Sequence, residues 1–153
     1  MRFMPKLGVM HVMTSSSERA HYRWGIGMCE IEHVSQGILD ESTARRVEEE
    51  RVAGCQEHDG TVLHLIPKDI DVFDEEVLAY WMTDEATRGI VARAAVVPVG
   101  LTALRHRIRW MFYSQDVAFR VFRNKQVAKS WLFDCWLEHQ EHAGYSEIRE
   151  SAR

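Results

Sequence analysis

The stretch from Arg93 to Leu132 constrains the fold of this 153-residue chain more than any other. It starts inside an apolar run, Ile90 to Val97 (IVARAAVV), that lacks strict alternation and is closed by Pro98 and Gly100. A short run of that kind suits a strand covered on both faces, as in parallel sheets. Beyond it, Leu101, Leu104, Ile108, Met111 and Phe112 recur at helical spacing, and Phe119 and Val121 then alternate with Arg120 and Phe122. Asn124 can cap a last helix whose inner side carries Ala128, Trp131, Leu132 and Cys135. Strand, helix, strand and helix in this order imply crossover connections and an α/β layer.

The rest of the chain extends the pattern. Thr61 to Ile66 (TVLHLI) is a second buried-strand run, ended by Pro67. Cys29, Ile31 and His33 alternate with Glu30 and Glu32, and the turn residues Ser35-Gln36-Gly37 predict a hairpin with Ile38-Leu39. Asp40 or Ser42 can cap a helix bearing Ala44, Val47, Arg51 and Cys55; Asp71 or Asp74 can cap another that buries Val77, Leu78, Trp81 and Met82. A helical turn is expected over Asp84 to Arg88. The expectation is a mixed four- to five-stranded sheet flanked by about four helices. Residues 1–27, with little periodicity and a Ser15-Ser16-Ser17 run, are expected to be a loosely ordered extension, residues 28–143 one domain, and residues 144–153 a polar tail.

A hydrophobic content of 46% suffices for one continuous core. No apolar run approaches the roughly 18 residues that cross a bilayer, and three cysteines form no disulfide framework, so a cytoplasmic protein is expected. The net charge of −4 conceals segregation: residues 41–90 hold 5 basic and 13 acidic side chains, residues 91–129 hold 8 basic and 1 acidic. The acidic half and a pI near 6.1 argue against a broad nucleic-acid face.

The Gly37-Ile38-Leu39 start, the helix from Thr43, the TVLHLIP and RAAVVPVG strands, the helix ending WMFYSQ and the segment FRVFRNKQVAKSWL resemble the SpoIIAA-like, STAS-type domains of bacteria. The most specific part is Val121-Phe122, Asn124, Ala128 and the Trp131-Leu132 pair. The resemblance spans about residues 28–137, and its motifs are structural. It implies a four- or five-stranded sheet flanked by helices and a non-enzymatic role in binding a protein partner or a small or lipid-like ligand. One departure matters: the phosphorylatable serine of the anti-sigma-factor antagonists has no counterpart, since no Ser or Thr occurs between Thr61 and Thr83. Asp69, Asp71 and Asp74 present fixed negative charge in that neighbourhood instead, which resembles a permanently phosphorylated state or caps a helix; the cap is the favoured reading.

Candidate sites follow from helical geometry. His106, Trp110 and Tyr113 lie opposite the Leu101/Ile108/Phe112 stripe, with Arg107 and Arg109 beside them, and Phe133 and Leu137 lie away from the inner side of the last helix. Trp, Tyr and Arg dominate binding surfaces, so these residues predict a partner-binding or homodimer face, unless a loop covers Trp110. Trp81, Met82, Met111 and Phe112 are candidates to line a gap that takes a small apolar ligand, although core packing explains the same residues. Cys135, His139 and His142 fall at i, i+4 and i+7, with Cys55 and His58 as further potential ligands. No second compact ligand pair is fixed, so neither a metal nor another cofactor is expected. There is no Gly-x-Ser-x-Gly elbow and no phosphate-cradling loop, and Gly25 and Gly27 form only a fragment of one. Asp69, Asp71 and His64 are the one acid–base grouping, and His64, inside an apolar strand, is read as a hydrogen-bonded core residue. The chain is expected to be a regulatory or protein-interaction module and not an enzyme.

Overall fold

The two apolar runs become neighbouring interior strands of a six-stranded mixed sheet. The computed structural model describes residues 13–34, 38–54, 60–68, 72–73, 75–97 and 118–151. In chain order the elements are β1 (Met13–Ser16), β2 (Ala20–Gly25), β3 (Met28–His33), β4 (Ile38–Leu39), α1 (Glu41–Gly54), β5 (Gly60–Leu65), β6 (Val72–Phe73), α2 (Glu75–Trp81), α3 (Asp84–Thr87), β7 (Ile90–Val96), β8 (Ala118–Phe122) and α4 (Lys125–Ser151). The main sheet has the order β1-β2-β3-β5-β7-β8; β1 to β3 form an antiparallel meander, and β3, β5, β7 and β8 run parallel.

Burial on both faces explains why β5 and β7 do not alternate. Leu63, Leu65, Ala92, Ala94 and Val96 pack toward Ala128 and Leu132 of α4. Val62 joins Val47 of α1 on the opposite face, where Ile66, Ala95 and Val97 pack with Ala44, Val77, Leu78 and Trp81. Small alanines on β7 let α4 approach the sheet closely, and Leu132 is fully buried there. Three helix starts are fixed by side-chain caps. Asp40 accepts the Thr43 N–H at 2.9 Å, Thr83 accepts that of Ala86 at 3.3 Å, and Asn124 accepts those of Gln126 and Val127 at 2.8 and 3.2 Å.

Four expectations are corrected. The second half of the supposed N-terminal extension is β1 and β2: Ala20 and Tyr22 are buried in alternation with exposed His21 and Arg23. Tyr22 is pinned to α1, its hydroxyl donating to Glu50 at 2.5 Å with the Val47 carbonyl 3.2 Å away, while Ser17 and Arg19 also donate to Glu50. The strand count therefore rises from four or five to six. Ile38-Leu39 does not close a hairpin, because β2 and β5 already occupy both edges of β3; it pairs in parallel with Val72-Phe73 in a separate two-stranded sheet. The supposed polar tail continues α4 through Gly144 to Ser151, since polarity by itself does not end a helix. At about 1.5 Å per residue this 27-residue helix is about 40 Å long, twice the reach of a six-residue strand, so its second half extends past the sheet. No helix among the described residues is long and apolar enough to cross a membrane.

Candidate functional site

His33 on β3, His64 on β5 and Arg93 on β7 lie on the face covered by α1 and α2. The register pairs Ile31 with His64 and Val62 with Arg93, so the three side chains step diagonally across the strands. Arginine can only donate, and Arg93 Nη1 lies 2.5 Å from His64 Nε2, which must therefore carry a lone pair. The His64 proton then sits on Nδ1 and is donated to His33 Nε2 at 2.9 Å. His33 in turn holds its proton on Nδ1, which is buried without a hydrogen-bond partner among the described residues. Arg93 Nη2 donates to the Ala86 carbonyl at 2.8 Å and to Glu48 at 3.3 Å, and Arg51 donates to the same Glu48 oxygen through Nε and Nη2 at 2.9 and 2.6 Å. Trp81 closes the group, its ring stacked 4.0 Å from that of His64.

Protonating either imidazole would set donor against donor, and the electrostatics agree. Burial and the Arg93 charge push His33 down to about 4 and His64 well below the ordinary histidine value. Burial alone would raise Glu48, yet the Arg93 and Arg51 guanidiniums hold it below the usual carboxylate value. Both histidines are thus neutral at pH 7. Every member of the cluster is buried, and the arrangement joins strands to helices. His64 is a hydrogen-bonded core residue; Asp69 and Asp71, grouped with it in sequence, lie outside the described residues.

A cleft of about 750 Å³ opens at the other end of the strands, where β3, β5 and β7 begin, between the last turn of α1 and the second half of α4. Two glycines shape it. Gly27, in the β2–β3 turn, has φ +71°, and a Cβ there would lie 2.6 Å from the Trp136 indole; a Cβ on Gly54 would lie 2.5 Å from the Trp24 ring. Each glycine is therefore a seat for a tryptophan wall. Trp24 is held from behind by Tyr22, stacked at 5.4 Å, and Thr61 fixes the turn by donating both its N–H and its hydroxyl to the Gly27 carbonyl. Met28 and Val62 add apolar surface, while Arg51, His139 and Gln140 supply polar groups. Sequence reasoning missed this site because its lining comes from segments that share no periodicity; Gly25 and Gly27 were its one visible trace.

The partner-face residues His106, Arg107, Arg109, Trp110 and Tyr113, and the ligand-gap residues Met111 and Phe112, lie outside the described residues. Phe133 and Leu137 are exposed on α4, at 53% and 40%, with the Phe133 ring 6.3 Å from Trp136. Trp81 and Met82 are buried, and Trp81 packs on His64 as a core residue. Among the described residues no three His, Cys, Asp or Glu side chains gather as a metal site: Cys135 packs against the sheet, His139 borders the cleft and His142 is exposed.

No protein-family model matches the chain, and neither does any curated protein or solved structure. The fold defines an α/β domain with a mixed sheet, and the STAS-type likeness stays one of residue pattern.

Proposed function

We propose that this protein is a non-enzymatic regulatory domain that binds a small, largely apolar molecule in the cleft between α1 and α4. The observation that supports this most is the pair of tryptophans seated on glycines around a cavity of about 750 Å³, within the size range of small-molecule sites. Walls held this way lose little freedom when a ligand arrives, which favours binding. The test is a thermal-shift and tryptophan-fluorescence titration of the full chain with neutral probes, naphthalene-1-methanol and 1-octanol. Saturable stabilisation that Trp136→Ala weakens is expected; no shift with either probe in the unsubstituted protein would refute the reading.

A second reading, a partner-binding or homodimer surface, has its own support in exposed Phe133 and Leu137 beside Trp136 on the outer flank of α4. Light scattering tests it. A dimer mass that Phe133→Asp with Leu137→Asp halves is expected; a monomer mass for the unsubstituted chain removes the homodimer.

A further inference from the structure

We propose that the cleft selects a ligand with a planar, fused-ring aromatic body over a saturated body of the same carbon skeleton. This inference rests on the ligand-binding reading above and deepens it by naming the class of molecule. The two indoles reach the cavity from opposite sides of the sheet. Trp24 projects from β2 on the face it shares with Ala20, Tyr22 and Val47 of α1, whereas Trp136 belongs to α4, which covers the other face. A molecule lying across the starts of β5 and β7 therefore meets an indole on each flank. Gly25, Gly27, Gly60 and Gly89 line the cavity between them, at the β2–β3 turn and where β5 and β7 begin. Glycine lets a ligand approach the backbone closely, with no side chain standing between. A Cβ on Gly89 would meet no atom within 4 Å, so the room there is open. Bare backbone flanked by indoles suits a thin molecule better than a puckered one.

The indoles supply the selectivity. Aromatic rings attract one another beyond the area they bury, in offset stacks and edge to face alike, so the gain holds whichever part of an indole the ligand meets. Both rings are held before a ligand enters: Tyr22 stacks on Trp24 with centroids 5.4 Å and planes 13° apart, and Trp136 rests on Gly27. Rings fixed in this way lose little freedom on contact. The sign of the preference separates this from plain burial. A saturated bicycle exposes more C–H surface than its aromatic counterpart and is at least as apolar. A cavity that sensed apolar area alone would therefore favour the saturated molecule.

The experiment is isothermal titration calorimetry on the full chain with naphthalene-1-methanol against decahydronaphthalene-1-methanol. The two share the hydroxymethyl group and the ring skeleton, and differ in planarity and π electrons. The aromatic alcohol is expected to bind about tenfold more tightly, as contact with two indoles predicts. Equal affinity, or tighter binding of the saturated alcohol, overturns the inference and leaves the cleft reading standing. Failure of both to bind also overturns the inference, and the 1-octanol titration then decides the cleft reading. Trp136→Leu keeps apolar bulk and removes one ring, and is expected to reduce the preference to about threefold. Its fold is checked by circular dichroism, and the comparison in the unsubstituted protein carries the test if it does not fold. A folded Trp136→Leu variant with an undiminished preference overturns the assignment to that wall.

Discussion

Mild acid is expected to destabilise this domain through His33. In the unfolded chain the imidazole takes up a proton as pH falls through its ordinary value of 6.5, whereas in the native state burial and Arg93 postpone protonation to about 4. Between those values the unfolded state binds more protons, so stability falls as pH falls, and the loss is complete below the folded value. The difference of about 2.5 pH units corresponds to about 3 kcal/mol in full, of which about 2 kcal/mol is lost by about pH 5. For a chain of this size that amounts to a fall in Tm of roughly 4–8 °C. His64, depressed in the same direction, adds to it. The control is His33→Gln, whose side-chain oxygen can accept the His64 Nδ1–H without titrating. Thermal melts of both proteins at about pH 7.5 and pH 5 measure the effect. The unsubstituted protein should lose more stability than the variant by about 2 kcal/mol; identical losses would show that the neutral imidazole at position 33 is not what acid attacks.

Three further outcomes are expected. Glu48→Gln leaves the buried Arg93 guanidinium without its carboxylate and should cost about 3–5 kcal/mol in urea unfolding, and a loss under about 1 kcal/mol would contradict the ion pairing described. Gly27→Ala places a Cβ against Trp136 at positive φ and should cost roughly 1–3 kcal/mol while changing the tryptophan emission; an unchanged spectrum and midpoint would mean that the indole does not rest on that turn. Leu132→Ala opens a hole between α4 and the alanines of β7, with an expected loss of about 2–5 kcal/mol by denaturant titration and little change in circular dichroism; a loss under about 1 kcal/mol would argue against that packing.

The central layer was legible because its signals are local. TVLHLI and IVARAAVV read as doubly covered strands, and Asp40 and Asn124 cap the helices they precede in sequence. β2 was missed although Ala20, Tyr22 and Trp24 alternate with His21, Arg23 and Gly25, because histidine and arginine beside aromatics give weak polarity contrast. The pairing of β4 depends on which edges β3 has left, a property of the assembled sheet and not of Ile38-Leu39. His64 and Arg93 were visible as polar residues inside apolar runs, yet no spacing announces that they meet each other and Glu48. The cleft is less legible still, since Gly54 and Trp24, like Gly27 and Trp136, are far apart in sequence and become partners only when α1 and α4 dock.

The diagonal of buried polar groups also bears on the order of folding. Its links join residues separated by 31, 29 and 45 positions, so none forms from local chain closure. A state with β7 paired to β5 but α1 undocked would leave Arg93 without Glu48, while a state with α1 docked and β7 absent would strand Glu48 beside Arg51 alone. Each half is poorer without the other, which suppresses partly built species and favours a single concerted transition. A contact held across such distances also slows the search for the native state. Glu48 and Arg93 thus make α1 and β7 kinetic partners, and weakening their contact should broaden the unfolding transition as well as shift it.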